Sequence, residues 1–157
     1  SQGTFGGLWL GAKYYGAPFE VLGVTINPAT PRTPDSCAEY INRMSEMYGL
    51  GVTAKGEEIR LFKGNREENY SGVAYNTPDP VTRAHIALLA RTEAIFLDPC
   101  YTGKVFHGFV DMVKSGIIPK GESAIFLHTG GIPALWTKEH LDSFQEELWG
   151  EGSSHTI

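Results

Sequence analysis

Leu97-Asp98-Pro99-Cys100-Tyr101-Thr102-Gly103-Lys104 and Phe126-Leu127-His128-Thr129-Gly130-Gly131 each run from a short apolar stretch into a polar, glycine-bearing turn. A helical pattern follows each one. Short apolar runs bounded by turn residues read as buried strands, and strand–turn–helix alternation predicts a parallel sheet with crossover helices. In an open sheet of that kind the strand-to-helix turns gather along one edge, where ligands bind. A tyrosine, two threonines and a glycine pair at two such turns therefore read as parts of one site.

The same alternation extends outward from these turns. Four strands are expected, over residues 19–26, 59–62, 95–97 and 124–127. A first helix runs from Gly3 to Tyr15, closed by Gly16 with Pro18 just beyond. Ser36 and Glu39 form a capping box for the second, whose apolar face is Cys37, Ile41, Met44 and Tyr48. Asp79 and Pro80 open the third, with Val81, Ala84 and Leu88 facing inward. A fourth spans about Gly103 to Ser115, with Val105, Phe109 and Met112 on one side, and a last one spans Pro133 to Leu148. The Pro-rich segment 27–34 is a loop. So is the polar stretch 63–77, which holds Tyr75 and whose length marks it as functional or mobile. The expected fold is α/β: a Rossmann-like open parallel sheet with helices on both faces over residues 1–150, followed by a flexible tail, 151–157.

The chain has 157 residues, 41% of them hydrophobic, which is enough for a real core. Its 19 glycines follow no fixed period, which argues against a repeat architecture. A net charge of -5 with interspersed acids and bases leaves no basic stripe for nucleic acid. No apolar run approaches the roughly 20 residues of a membrane span. Cys37 and Cys100 give neither a disulfide framework nor metal-ligand spacing and read as free thiols. A cytoplasmic enzyme fragment or small-ligand domain is the expectation, with no metal site.

Each candidate site residue carries two readings. Gly3 and Thr4, ahead of Gly6-Gly7, can bind a phosphate at a helix N-terminus or form an ordinary turn. Tyr101 can stack on a flat cofactor ring and move a proton, or pack at the rim of the next helix. Thr129 can donate to a ring nitrogen or cap the helix beyond Gly131. Tyr75 is a loop tyrosine of either kind, and His128 is read as structural.

Together these stretches resemble the D-cysteine desulfhydrase and 1-aminocyclopropane-1-carboxylate deaminase family. Its members are pyridoxal-phosphate enzymes of the tryptophan-synthase-β fold type (fold type II). The resemblance rests on Gly3-Thr4 with Gly6-Gly7-Leu8, on Ala74-Tyr75-Asn76-Thr77-Pro78, on Leu97 to Lys104, and on His128-Thr129-Gly130-Gly131 with Pro133-Ala134-Leu135. It covers nearly the whole chain and places it in the C-terminal part of the family's fold. It implies pyridoxal phosphate as cofactor, with Gly3 and Thr4 at the phosphate. Tyr75 and Tyr101 would be the catalytic tyrosines facing cofactor and substrate, with Thr102, Thr129 and Gly130 around the pyridine ring. The family's cofactor-anchoring lysine lies in an N-terminal half that this chain lacks. Lys13, Lys55, Lys63, Lys104, Lys114, Lys120 and Lys138 match no such position.

The resemblance also bears on substrate. Deaminases of the family carry Glu at the position of Thr102 and Leu at that of Thr129, whereas desulfhydrases carry Thr at both, as here. A carboxylate keeps a ring nitrogen protonated and a hydroxyl does not, so a threonine pair suits the less demanding β-elimination of sulfide from D-cysteine. The expected function is the C-terminal part of a D-cysteine desulfhydrase yielding pyruvate, sulfide and ammonia. The alternatives are 1-aminocyclopropane-1-carboxylate deaminase and a non-catalytic α/β ligand-binding or interaction module. Expected partners are a small amino-acid substrate and the missing N-terminal half, with the complete enzyme a homo-oligomer.

Overall fold

A computed structural model describes residues 2–30, 32–64, 70–77 and 79–141. The chain packs as two compact units, residues 1–25 with 30–62, and residues 26–29 with 63–157.

The first unit holds helix α1 (Gly3–Tyr14), strand β1 (Leu22–Val24), helix α2 (Pro34–Met47) and strand β2 (Arg60–Phe62). The two strands pair in parallel, Gly23 opposite Leu61. Trp9 and Leu10 from α1 meet Cys37, Ala38 and Ile41 from α2, with Ala54 and Ile59 completing an apolar core. The connection after α2 is tied back by polar side chains. The Asn42 amide donates to the Ala54 carbonyl at 3.0 Å and accepts from the Ala54 N–H at 2.7 Å, while Ser45 Oγ accepts from Val52 N–H at 3.0 Å.

The capping box of α2 is Thr33 with Ser36, not Ser36 with Glu39. Thr33 Oγ1 accepts from the Ser36 N–H at 3.1 Å and Ser36 Oγ accepts from the Thr33 N–H at 3.0 Å. Pro34 explains the shift: its fixed φ suits the first helical position, so the helix begins there and Ser36 falls inside the first turn.

The second unit holds helices α3 (Pro80–Glu93) and α4 (Thr102–Lys114) and a 3-10 turn, Ile132–Trp136. Ile86, Leu97 and Leu135 form its apolar centre, with Leu89, Phe106 and Phe126 around it. Asp79 caps α3 as expected, accepting from the Val81 N–H at 3.2 Å. The inward face of α3 is not the expected one, since Val81 and Leu88 are 40% and 49% exposed while Thr82, Ile86 and Ala87 are buried. The Thr82 hydroxyl donates to the other Asp79 carboxylate oxygen at 2.7 Å, which removes the cost of burying it and rotates the face.

The expected third and fourth strands carry no ladder. Among the described residues the sheet consists of β1 and β2 alone. Leu97 is fully buried, but by side-chain packing on Ile86 and Leu135, and Ile125 is 91% exposed. An apolar run reports a tendency to be buried; it does not choose the partner. The architecture is mixed α/β with a parallel sheet. Pro133 lies in the 3-10 turn, helix resumes over 138–141, and both the rest of the expected last helix and the tail 151–157 lie outside the described residues. No helix among the described residues is long and apolar enough to cross a membrane.

The two capping assignments separate by mutation. Thr33→Ala is expected to cost about 1 kcal/mol in urea unfolding, a usual value for a lost N-cap. Glu39→Ala, an exposed change outside the box, is expected to stay within about 0.5 kcal/mol of the parent.

Candidate functional site

Asp98 organises the turn that opens α4. Its side chain is fully buried and its carboxylate accepts from the N–H groups of Cys100 (2.8 Å), Tyr101 (2.7 Å) and Thr102 (2.6 Å) and from the Thr102 hydroxyl (2.6 Å). Thr102 Oγ1 in turn accepts from the Asp98 N–H at 2.9 Å, and the Asp98 carbonyl accepts from the Gly103 N–H at 2.8 Å. The carboxylate thus satisfies donors that a helix start leaves unpaired, at the end where the helix dipole favours negative charge.

The turns of residues 97–104 and 126–131 meet here. A Cβ on Gly103 would stand 2.7 Å from the Asp98 carbonyl oxygen, and one on Gly131 would stand 2.6 Å from the Asp98 carboxyl carbon. Gly131 also has φ of +94°, so glycine is required there on both counts.

This arrangement fixes Tyr101, the residue before α4. Its hydroxyl is hydrogen-bonded to that of Tyr75, with the rings edge-to-face and their centroids 5.7 Å apart. The pair faces outward, 41% and 48% exposed, so neither ring serves as core. Beside it, Cys100 is buried, and burial pushes its thiol up against a hydrogen bond from the Asn76 backbone. Asn76 itself takes φ of +52°, a conformation non-glycine residues seldom adopt. Its side-chain oxygen lies 3.4 Å from Nε2 of the fully buried His140, whose Nδ1 is buried with no hydrogen-bond partner among the described residues.

Lys104, one turn into α4, is also fully buried. Its ammonium donates to the carbonyls of Ser71 (2.6 Å), Ala74 (3.0 Å) and Ile26 (3.4 Å).

The remaining candidates divide clearly. Thr102 is buried with its hydroxyl already donated to Asp98. Thr129 is exposed, and its hydroxyl makes no hydrogen bond among the described residues; Gly131 and not Thr129 precedes the 3-10 turn, with no side-chain cap. His128 is structural, as expected: Nδ1 accepts from the Gly130 N–H at 3.1 Å, which leaves Nε2 to donate to the Phe96 carbonyl at 2.8 Å. Gly3 and Thr4 belong to the first unit, where they begin α1. No side chain caps that helix and no acidic residue stands in its first turn; the Gln2 amide donates instead to Cys37 Sγ at 3.4 Å. First-turn N–H groups with no side-chain cap and no competing carboxylate fit a phosphate.

Asp98, Lys104 and His140 were not singled out by sequence reasoning. An Asp-Pro with threonine four residues on was a readable capping signal. Nothing in the sequence marks a lysine or a histidine as buried.

No family model matches the chain. It is 32% identical over 136 residues to a Pyrococcus abyssi protein named for 1-aminocyclopropane-1-carboxylate deaminase, covering 87% of this chain and 38% of that one. It is 32% identical over 132 residues to 1-aminocyclopropane-1-carboxylate deaminase of Rhizobium leguminosarum bv. viciae, covering 84% and 38%. A crystal structure of an ACC deaminase homologue superposes with a TM-score of 0.71 at 27% identity, over 93% of this chain and 41% of that one. The chain therefore spans about 38% of the length of the curated relatives it matches.

Two outcomes follow from the buried groups. Asp98→Asn keeps the shape but turns one acceptor into a donor facing N–H groups, and is expected to cost roughly 1.5–3 kcal/mol in denaturant unfolding. Burial holds His140 below its ordinary range, outweighing the hydrogen bond to Asn76 and the nearby Glu139 and Asp98 that oppose the shift. The unfolded chain then binds the extra proton first, so the contribution is intact above about pH 6.5 and is lost as pH falls through the folded-state value. Unfolding curves measured from pH 8 downward should show this loss, and His140→Gln should flatten it.

Proposed function

We propose that this chain, which belongs to the 1-aminocyclopropane-1-carboxylate deaminase family, works as part of an enzyme that releases ammonia from a small amino acid. Pyridoxal phosphate is the cofactor of that family, and when bound it supplies an electron sink for bonds broken next to the amino-bearing carbon. The observation that carries the reading is the Tyr75–Tyr101 pair: two phenols joined through their hydroxyls, outside the core, on a turn fixed by a buried carboxylate.

The chain's own residues then have the following parts. Tyr101 is held in position through its backbone by Asp98, and its phenol hydroxyl is hydrogen-bonded to that of Tyr75. Such a pair can deliver a proton to a substrate atom or accept one from it. Thr129 offers a free hydroxyl, and Gly130 keeps the backbone beside it open. Thr102 orients Asp98. In the first unit, the start of α1 at Gly3 and Thr4 receives a phosphate on its unpaired N–H groups.

The names of the relatives favour 1-aminocyclopropane-1-carboxylate as the substrate. D-cysteine is the second reading, favoured by Thr102 and Thr129: neither can hold a ring nitrogen protonated, and a thiolate leaves without a strong electron sink. The complete protein containing this chain should be given each substrate with pyridoxal phosphate. Ring-opening deamination consumes water and gives a four-carbon 2-oxo acid and ammonia; desulfhydration consumes water and gives pyruvate, sulfide and ammonia. Release of the four-carbon acid alone establishes the first reading, and release of sulfide alone the second. Turnover of neither, with no cofactor retained, would leave a non-catalytic module. In the active protein, Tyr101→Phe is expected to lower kcat roughly 100-fold, the lower range for loss of a positioned proton donor, with the cofactor still bound.

A further inference from the structure

We propose that Lys104 is a positioning residue: its buried ammonium clamps the loop carrying Tyr75 to the first turn of α4 and so sets the Tyr75 hydroxyl against that of Tyr101. The catalytic consequence rests on the tyrosine-pair reading above. The positioning itself does not.

The chemistry of the site asks for an explanation other than stability. Burying an ammonium costs several kcal/mol unless it is compensated, and an apolar side chain of similar volume often does as well or better. Among the described residues Lys104 forms no ion pair; Asp79, Asp98 and Cys100 act on it only at longer range. Its compensation is geometric. An ammonium has three donors and no acceptor, and here three backbone carbonyls meet it. Two of them, Ser71 and Ala74, lie in the loop that leads to Tyr75.

The position of the clamp is what makes it specific. Tyr101 immediately precedes α4, and Lys104 lies three residues further on, so one helix end holds both. On the loop side, the clamped Ala74 carbonyl directly precedes Tyr75. Asn76, directly after it, is held in its left-handed conformation beside His140. Tyr75 thus lies between a clamped backbone carbonyl on one side and the Asn76 side chain, in contact with His140, on the other, while its own side chain is exposed and, among the described residues, is hydrogen-bonded only to Tyr101. The 70–74 stretch also meets α4 at Tyr70, whose hydroxyl donates to the Asp111 carboxylate and whose ring packs edge-on to His107, but that contact lies five residues before Tyr75, whereas the Lys104 bond falls on the residue directly before it.

Oxidative dityrosine cross-linking tests this directly, because coupling needs the two rings in contact. The full chain is oxidised with persulfate under a light-driven catalyst, and the Tyr75–Tyr101 link is quantified by peptide mass spectrometry. Tyr14 and Tyr15, with ring centroids 5.0 Å apart in the first unit, serve as the internal reference. Lys104→Met keeps the length and removes the donors; Lys104→Gln keeps N–H donors without charge. In Lys104→Met, which loses all three bonds, the Tyr75–Tyr101 yield should fall at least about fivefold against the reference, the change expected from even one net hydrogen bond. Hydrogen exchange should rise over residues 70–77 with the rest of the unit unchanged, and Lys104→Gln should recover part of the yield. An undiminished link in Lys104→Met overturns the proposal. So does loss of the whole fold in both variants, which would make Lys104 a support of the unit and not of the loop. Failure of the complete protein to turn over either substrate would sink the functional reading and leave the cross-link result standing.

Discussion

A carboxylate can be buried only if its lone pairs are met, and the second unit is arranged around meeting those of Asp98. Three backbone N–H groups and one hydroxyl converge on it. Each of those donors would otherwise be an orphan at the start of α4, so carboxylate and helix end satisfy one another. The close approach excludes a Cβ at Gly103 and at Gly131, which brings the second glycine-bearing turn against the first. The direction of Tyr101 follows from the same set of bonds.

The two units are held in different ways. The first has an ordinary apolar core of Trp9, Leu10, Ile41 and Ile59 with their neighbours. In the second, the fully buried side chains include Lys104, His140, Thr82, Thr102 and Asp98 beside Ile86 and Leu97. Polar groups buried in this proportion fix geometry more tightly than apolar ones, because hydrogen bonds are directional and an unmet partner is costly. Asp98, Lys104 and His140 bond to Tyr101, Ala74 and Asn76, at or next to an exposed tyrosine pair that contributes little to packing. A hydrogen-bonded polar network beside a half-open pair of phenols suits the proton-handling role proposed for them.

Much of this was legible in the sequence. Asp79-Pro80 marked the start of α3, and the Gly16 and Pro18 stop placed the end of α1 within a residue. The family resemblance assigns Tyr75 and Tyr101, 26 residues apart, to one site, and their hydroxyls are in contact. What failed did so for identifiable reasons. Residues 95–97 and 124–127 are apolar enough for strands, yet burial without a neighbouring ladder satisfied Leu97 and left Ile125 exposed. Val81, Ala84 and Leu88 read as the inward face and Thr82 does not, because a hydroxyl counts as polar until its acceptor, Asp79, is known. Lys104 carries no sign of burial in the sequence, because a lysine is ordinarily a surface residue; the three carbonyls around it are what make burial possible.

The geometry sharpens the question of substrate at one point. Thr102 and Thr129 enter the sequence argument as equals, but their hydroxyls are not equally available. That of Thr102 is donated to Asp98 and also accepts from the Asp98 N–H, so it has no second proton to give. A glutamate at position 102 would lose that bond and set a second carboxylate close to the first, a pairing that raises the pKa of one member. The residue at 102 therefore cannot change alone; the Asp98 turn must change with it. Of the two threonines, Thr129 alone has a hydroxyl not already engaged with Asp98, so under the proposed function the strength of the electron sink, and with it the choice of leaving group, turns on that one side chain.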